Sequence, residues 1–183
     1  MKKVVLTLLV AVLALQISAQ ESTFNKGDKV LNLGIGLGNA LYGSGYTSKM
    51  IPLSASFEVG VADGIADKGT IGVGGYVGYS GAKWEYLGWG YKFTNFIIGA
   101  RGTFHYPLVE KLDTYGGLLL GYNSVSTKDI GNVDPLYNFS WEDSGLVYSL
   151  FLGGRYYFTD NVAGFAELGS GISYLTIGAA FKF

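Results

Sequence analysis

The sequence predicts an all-β protein: a transmembrane, antiparallel, up-and-down β-barrel of eight strands, preceded by a cleavable signal peptide. Two observations lead to this fold class. Apolar residues alternate with small or polar ones over eight segments, and a β-strand places successive side chains on opposite faces. No later segment approaches the run of about 18 apolar residues that a spanning helix needs. A closed barrel is the other structure that satisfies the backbone in lipid.

The N-terminus reads as an export signal. Lys2 and Lys3 form a short basic start, and the apolar run from Val4 to Leu15 is too short to span a bilayer as a helix. Cleavage is expected after Ala19, and an uncleaved anchor helix is the alternative. We therefore expect a signal peptide over 1–19, a periplasmic lead-in over 20–29 and one outer-membrane β-barrel domain over 30–183.

Eight segments with a period of two are the predicted strands, and each is close to the 9 to 11 residues that a tilted spanning strand needs. They are Val30 to Leu41, Ile51 to Val61, Thr70 to Tyr79, Phe93 to Tyr106, Thr114 to Asn123, Leu146 to Phe158, Val162 to Gly169 and Ser173 to Phe183. The last one ends on Phe181 and Phe183, which share an apolar face. The sequence leaves open which face of the segment 114–123 is which.

The connections between these segments alternate in length. Those at 62–69, 107–112 and 159–161 are short and contain turn residues, whereas those at 42–50, 80–92 and 124–145 are longer. Bacterial outer-membrane barrels have short periplasmic turns and long external loops. The alternation therefore places both ends of the barrel domain on the periplasmic side. The connection at 170–172 is unusually tight for an external one.

Composition narrows the range of functions. Only 15% of the residues are charged, the formal net charge is −1 and there is no cysteine, so disulfides, thiolate chemistry and a basic nucleic-acid surface are not expected. No spacing of metal ligands or cofactor motif is present, and His105 is the single histidine. We expect His105 to be a packed residue of the inner face. The 29 glycines suit the crowded interior of a narrow barrel.

Charged residues inside the strands share one parity, that of the lumen face. They are Glu58, Arg101, Arg155, Glu167 and Lys182. Because an unpaired buried charge is costly, we predict that Glu58, Arg101, Arg155 and Glu167 form a paired cluster that closes the lumen. Arg155 and Glu167 are equally far from Asn161 and are expected to lie near one another across a hairpin. A charged constriction in an open channel is the alternative.

Aromatic residues occur in two kinds of position. Those at the predicted strand ends form the belts that anchor a barrel at both membrane interfaces. Trp84, Trp89 and Trp141 fall instead within the predicted external loops. Exposed aromatic residues there indicate either a binding surface or a cap in which the rings pack on each other, and the second interpretation is favoured.

Several motifs resemble a known family. They are Gly-Ala-Arg-Gly at 99–102, Gly-Gly-Arg-Tyr-Tyr-Phe at 153–158, Phe-Ala-Glu-Leu-Gly at 165–169 and the terminal Ala-Phe-Lys-Phe. The chain resembles the small eight-stranded outer-membrane β-barrel proteins of the OmpX, OmpW and opacity-protein kind, often labelled "porin family". The residues Ile-Ser-Ala-Gln at 17–20 resemble exports of the Bacteroidetes. The resemblance implies a place in the bacterial outer membrane, contact with its lipid, and insertion by the barrel-assembly machinery. Phe181 and Phe183 would then be the assembly signal.

Function stays open between three classes. The first is a structural or surface-interaction barrel that works through its external loops, with a lumen plugged by side chains. The second is a narrow porin for small solutes. The third is a lipid-modifying barrel enzyme, which would need polar catalytic groups at a lateral opening; no such group is apparent, so we predict no enzyme. A soluble ligand-binding barrel would carry its charged residues outside, contrary to the parity of Glu58 and Arg101.

Overall fold

The structure, a computed structural model, describes residues 22–131 and 144–183. The predicted signal peptide over 1–19 and Trp141 lie outside these ranges. The described residues form nine strands: β1 Lys29–Leu37, β2 Ser48–Lys49, β3 Leu53–Ile65, β4 Gly69–Tyr86, β5 Trp89–Val109, β6 Leu112–Ile130, β7 Gly145–Tyr157, β8 Val162–Gly169 and β9 Leu175–Lys182. Within the two described ranges, no helix is long and apolar enough to cross a membrane.

Eight of the nine strands form a closed antiparallel barrel in the order β4, β3, β1, β9, β8, β7, β6, β5 and back to β4. β1 pairs with β9 from Val30 opposite Lys182 to Leu37 opposite Leu175, so the first and last strands join and leave no open edge. The fold class predicted from the sequence is confirmed. The prediction of eight strands needs one addition, the two-residue strand β2.

β2 exists because β4 is longer than its neighbour β3. The pairing between β3 and β4 ends where Leu53, the first residue of β3, lies opposite Tyr79. Beyond that point the edge of β4 continues, and Ser48 and Lys49 of β2 pair with Lys83 and Ala82. The ninth strand therefore extends an edge above the barrel ring and does not alter the ring itself.

The alternation of side chains follows the predicted parity. In β1, Leu33 and Ile35 are exposed on the outer face, whereas Asn32 and Gly34 are buried in the lumen. The structure also settles the faces of β6, which the sequence left open: Asp113, Tyr115 and Leu119 are buried in the lumen, and Leu118 and Leu120 are exposed on the outside. The outer wall is therefore an apolar surface suited to lipid.

The predicted connection at 80–92 is wrong in its detail, because most of it is strand. β4 and β5 remain paired up to Tyr86 opposite Trp89, so only Leu87 and Gly88 form the turn, with φ values of 50° and 85°. Two residues with positive φ match the twist of a hairpin. The polar and aromatic residues at 80–92 suggested a loop, although a ribbon that rises above the membrane can carry polar residues on both faces. β6 likewise continues to Ile130, well past the predicted end at Asn123.

The barrel rim is uneven. β8 ends at Gly169 and β9 begins at Leu175, whereas β4, β5 and β6 extend far beyond this level. The segment after β1, which ends at Leu37 and not at the predicted Leu41, covers the mouth: Asn39 Nδ2 donates to Ser80 Oγ at 2.6 Å, and Tyr42 is buried. The external mouth is thus roofed by the β1–β2 connection.

Candidate functional site

Arg155 is the centre of a buried polar cluster in the lumen. Its side chain has no exposed surface and reaches three groups that come from other strands. Nε donates to Asn32 Oδ1 at 3.1 Å, Nη1 donates to Asp113 Oδ2 at 2.9 Å, and Nη2 donates to Glu58 Oε2. These bonds use all three nitrogens of the guanidinium, which satisfies the requirement that a buried charge be paired and hydrogen-bonded.

His105 lies between the two carboxylates that bind Arg155. Its Nδ1 is 2.8 Å from Asp113 Oδ1, and its Nε2 is 2.8 Å from Glu58 Oε1 and 3.1 Å from Thr103 Oγ1. An ionised carboxylate can only accept hydrogen bonds, so both ring nitrogens must donate if both contacts are to be satisfied. The ring then carries a positive charge. This protonation state is assigned from the arrangement of the acceptors around the ring.

A second ion pair lies higher in the same lumen. Arg101 Nη2 donates to Glu167 Oε2 at 2.7 Å, and Arg101 Nη1 donates to Ser56 Oγ at 3.3 Å. Tyr115 Oη also donates to Glu167 Oε2, at 3.2 Å. The guanidinium of Arg101 is 4.0 Å from the centre of the Phe151 ring, a cation–π contact. Ser56 links the two groups, because its Oγ also accepts from Asn32 at 3.0 Å.

The charges of the two groups balance. Glu58, Asp113 and Glu167 supply three negative charges, and Arg101, Arg155 and protonated His105 supply three positive ones. The predicted cluster of Glu58, Arg101, Arg155 and Glu167 is therefore incomplete, since Asp113 and His105 also belong to the network. A neutral cluster, in which each ion has a partner of opposite charge, lowers the cost of burying these ions.

Arg155 and Glu167, which were expected near one another across the β7–β8 hairpin, are not directly opposite and do not form an ion pair with each other. Arg155 lies opposite Phe165, and Glu167 lies opposite Gly153. The observed register places the centre of the turn at Asp160. A register centred on Asn161 would pair each residue of β7 with a residue two positions too far along β8. Long side chains instead reach across the narrow lumen to other strands, where Arg155 binds Glu58 and Asp113.

An apolar layer closes the periplasmic end beneath the cluster. Phe24 precedes β1, is fully buried, and packs with its ring centre 4.2 Å from that of His105. It belongs to a cluster with Val30, Tyr157 and Phe165 among others. The lead-in over 20–29 was expected to lie in the periplasm, but from residue 22 onward it contributes this plug. An isolated apolar residue within a polar lead-in was the available signal in the sequence.

A second apolar layer lies above the cluster. It consists of Tyr76, Ile97, Tyr115, Leu119, Phe151 and Ile172. Between this layer and the Arg101–Glu167 pair there is a cavity of about 20 Å³, which has room for about one water molecule. The lumen thus contains an apolar layer, a charged layer and a second apolar layer in succession.

The predicted loop tryptophans lie in strands. Trp84 belongs to β4 and Trp89 to β5, and their ring centres are 5.2 Å apart in an edge-to-face arrangement. Trp84 also stacks with Tyr91 at 6.4 Å. The rings share the face that continues the lumen side of the barrel. The described aromatic residues therefore pack on each other, and Trp141 lies outside the described residues.

The predicted assembly residues close the barrel at its periplasmic seam. Phe181 lies opposite Leu31 of β1 and Val162 of β8, and it is partly buried. Phe183 follows β9, donates its backbone N–H to Lys29 O at 2.9 Å, and has a largely exposed ring. Lys182, on the lumen parity, donates from Nζ to Thr23 O at 3.2 Å.

Within the described part of the chain, no group of His, Cys, Asp and Glu could hold a metal ion.

Comparison with known proteins identifies the fold. No family model matches the sequence, and no curated protein matches it. The N-terminal β-barrel domain of OprF from Pseudomonas aeruginosa is similar over 87% of this chain and 98% of its own, with 14% identity and a TM-score of 0.51. Ail, the attachment invasion locus protein of Yersinia pestis, in complex with the heparin analogue sucrose octasulfate, is similar over 86% of this chain and 99% of its own, with 14% identity and a TM-score of 0.54. The chain therefore has the fold of the small bacterial outer-membrane β-barrels.

Proposed function

We propose that this protein is a non-conducting outer-membrane barrel that acts through the extended hairpins on its outer side. The observation that carries the proposal is the filled lumen: Arg155 and Glu58 connect opposite walls, with apolar layers above and below them. Eight strands enclose just enough space for side chains to fill. A barrel of this kind offers its surface for interaction and no passage for solutes.

Support for a surface role comes from the tip of the β4–β5 hairpin. Leu87 has a φ of 50°, an unfavourable value for a leucine, and its side chain is 85% exposed. Tyr86 and Trp89 flank it and are also exposed. Strain and exposed apolar surface at the same tip are the combination expected of a contact with a partner. The partner would then cover Leu87.

Conductance across planar bilayers tests the filled lumen. The folded barrel should give no steady single-channel steps with monovalent salt on both sides. Steady steps of uniform size would support the alternative, a narrow porin for small solutes. Heat-modifiable gel mobility of the same preparation establishes that the inserted protein is folded.

Replacement of Leu87 by Asn tests the surface role. Asn accepts a positive φ more readily than Leu, so Leu87→Asn should preserve the hairpin while it removes the apolar tip. Cells that display the barrel should be retained on octyl-coated beads, and the Leu87→Asn cells should be retained less. Leu108→Asn, at the opposite end of the barrel, is the matched control and should behave like the parent. Equal retention of all three would contradict a role for the tip.

A lipid-modifying enzyme is not proposed, although Thr103, His105 and Asp113 have the order of a nucleophile, a base and an acid. His105 Nε2 also contacts Glu58, and all four side chains are buried. Phe24 covers His105 from below, so no substrate carbonyl can approach Thr103. Incubation with outer-membrane lipid, followed by mass spectrometry of the lipids, should show no product.

A further inference from the structure

Three lysines lie directly opposite one another on neighbouring strands above the barrel. Lys83 of β4 lies opposite Lys92 of β5, and Lys92 lies opposite Lys128 of β6. Neighbouring strands are about 4.8 Å apart, so the three Cα atoms lie within about 10 Å. Like charges directly opposite each other destabilise a sheet. Such a row therefore calls for a compensating anion.

The three lysines are on the face that continues the lipid-facing wall. The β4–β5 register runs without a bulge from Val77 opposite Ile98, both exposed on the outer wall, to Lys83 opposite Lys92. Residues of the same parity stay on the same face of a strand. The lysines therefore look toward the membrane side of the ribbon, away from the aromatic rings of Trp84 and Tyr91.

The chain provides little compensation for these charges. Lys83 forms an ion pair with Glu85, which is on the same face. Among residues 22–131 and 144–183, no carboxylate forms an ion pair with Lys92 or Lys128. Three positive charges and the one negative charge of Glu85 thus leave this face with a net positive charge.

The residues below the row follow the depth profile of a bilayer. Tyr79 and Phe96 face each other at the top of the apolar wall. Two residues farther up, Gly81, Thr94 and Ser126 form a row of small and hydroxyl-bearing residues. The lysine row follows two residues above that, about 13 Å beyond Tyr79 along the strand. The apolar wall thus corresponds to the hydrocarbon of a bilayer, the aromatic and hydroxyl levels to its interface, and the lysine row to its phosphate groups.

A depression on this face has room for a headgroup. It has a volume of about 510 Å³, and its lining includes Tyr79, Lys83, Lys92, Thr94 and Lys49 but not Lys128. Gly81 has no side chain, so none projects from this position into the depression. Lysine binds phosphate as a point charge with three donors, and the threonine hydroxyl can add another.

We propose that the row of Lys83, Lys92 and Lys128 binds the phosphorylated headgroup of a membrane lipid that packs against the outer wall of the barrel. The phosphate supplies the negative charge that the row lacks. The acyl chains of the same lipid lie on the apolar wall below Tyr79 and Phe96. This site depends on the insertion of the barrel in a membrane and is independent of the contact proposed for Leu87.

Lipid retention in native mass spectrometry tests the site. The full barrel is folded in nanodiscs of phosphatidylcholine that contain a minor fraction of phosphatidic acid. The parent should retain phosphatidic acid, and K83Q/K92Q/K128Q should retain it less, by about five-fold for each lysine removed. The control K26Q/K68Q/K111Q loses the same charge in the turns at the other end and should behave like the parent. Because substitution relieves repulsion in the row, the triple variant should fold at least as well as the parent in neutral detergent.

Two further measurements test the effect of charge on this face and the origin of the bound phosphate group. Glu85→Gln removes the carboxylate on this face and should increase retention. Inorganic phosphate in the buffer should not displace the lipid. Equal loss in the lysine variant and its control would show a general effect of charge and overturn the proposal, as would unchanged retention in the lysine variant. Complete displacement by inorganic phosphate would also overturn it, because the site would then take phosphate from solution.

Discussion

Arg155 and Glu58 form an ion pair between opposite walls of the barrel, although 97 residues separate them in the sequence. β7 and β3 have three strands between them in either direction around the ring. The side chains therefore meet across the lumen, where an eight-stranded barrel is narrow enough for one arginine to reach the far wall. This pair ties the two halves of the barrel together.

Removal of Arg155 should be strongly destabilising. Arg155→Met leaves Glu58 and Asp113 with only His105 as a shared cation, so one buried negative charge loses its partner. We expect a loss of about 3–5 kcal/mol in the free energy of unfolding, the usual consequence of stranding one side of a buried ion pair. Urea unfolding of the folded barrel in detergent, followed by tryptophan fluorescence, measures this loss.

A double-mutant cycle separates the partners. Arg155→Met combined with Glu58→Gln should cost less than the sum of the two single changes, because the pair is lost as a unit. Arg101 and Glu167 should couple in the same way. Arg155→Met combined with Glu167→Gln should be nearly additive. Strong coupling between Arg155 and Glu167 would contradict the register that places Arg155 opposite Phe165.

The sequence predicts the wall of this barrel better than its interior. Side-chain parity is a local property, so it correctly assigns Leu33, Glu58 and Arg155 to their faces. The partners of Arg155 depend on the curvature of the whole sheet, because closure of the barrel makes β3 and β7 face each other across the lumen. No local pattern in the sequence indicates that these two strands face each other. Asp113 was missed because it precedes the predicted strand Thr114 to Asn123, whereas β6 begins at Leu112. Its distance of eight residues from His105, across a tight hairpin, was the available signal.

Loss of the Phe24 ring should weaken the periplasmic end of the lumen. Phe24→Ala removes the ring that packs on His105 and leaves a cavity beneath the cluster. Truncation of a buried phenylalanine typically costs about 3–5 kcal/mol. Urea unfolding measures the loss, and Leu108→Ala, an exposed residue of the same end, should change stability little. If Phe24→Ala unfolds like the parent, the segment before β1 does not plug the barrel.

Glycine at 153 provides the space for Tyr115. A Cβ at this position would lie 2.5 Å from Tyr115 Cζ, and the Tyr115 ring is itself held 4.6 Å from the Arg155 guanidinium. Gly153→Ala should therefore cost about 1–3 kcal/mol in the free energy of unfolding, as overpacking does. Gly102→Ala is the matched control, since no atom lies within 4 Å of its Cβ position on the outer face. Equal stability of the two variants would show that the Tyr115 ring can move aside to accommodate a methyl group at position 153.

Ionisation of Tyr42 should loosen the roof of the mouth. Burial raises the pKa of Tyr42 to about 12 from 10.0, a nearby Tyr46 adds to this, and the hydrogen bond from Asn95 opposes it. The unfolded chain therefore loses this proton at lower pH than the folded chain. The stabilisation is complete below pH 10.0 and is lost as the pH rises toward 12.

Comparison of the parent with Tyr42→Phe isolates this contribution. The variant lacks the phenol, so its stability should fall less steeply than that of the parent between pH 10.0 and about 12. Unfolding midpoints across this range give the two slopes. Parallel curves would mean that Tyr42 titrates alike in the folded and unfolded states.

Deletion of Phe183 should slow assembly of the barrel in the outer membrane. Phe183 follows the seam strand β9, and its N–H donates to Lys29 O at 2.9 Å. Its ring is 71% exposed, so it contributes little to the packing of the folded barrel. A role in recognition by the assembly machinery would account for an exposed aromatic residue at this place. We expect lower outer-membrane levels and less of the heat-modifiable form on gels. Phe158→Ala removes a comparably exposed ring at the same end and should assemble like the parent. If the deletion assembles as well as the parent, or if Phe158→Ala is equally defective, Phe183 is one of several interfacial rings and carries no assembly signal of its own.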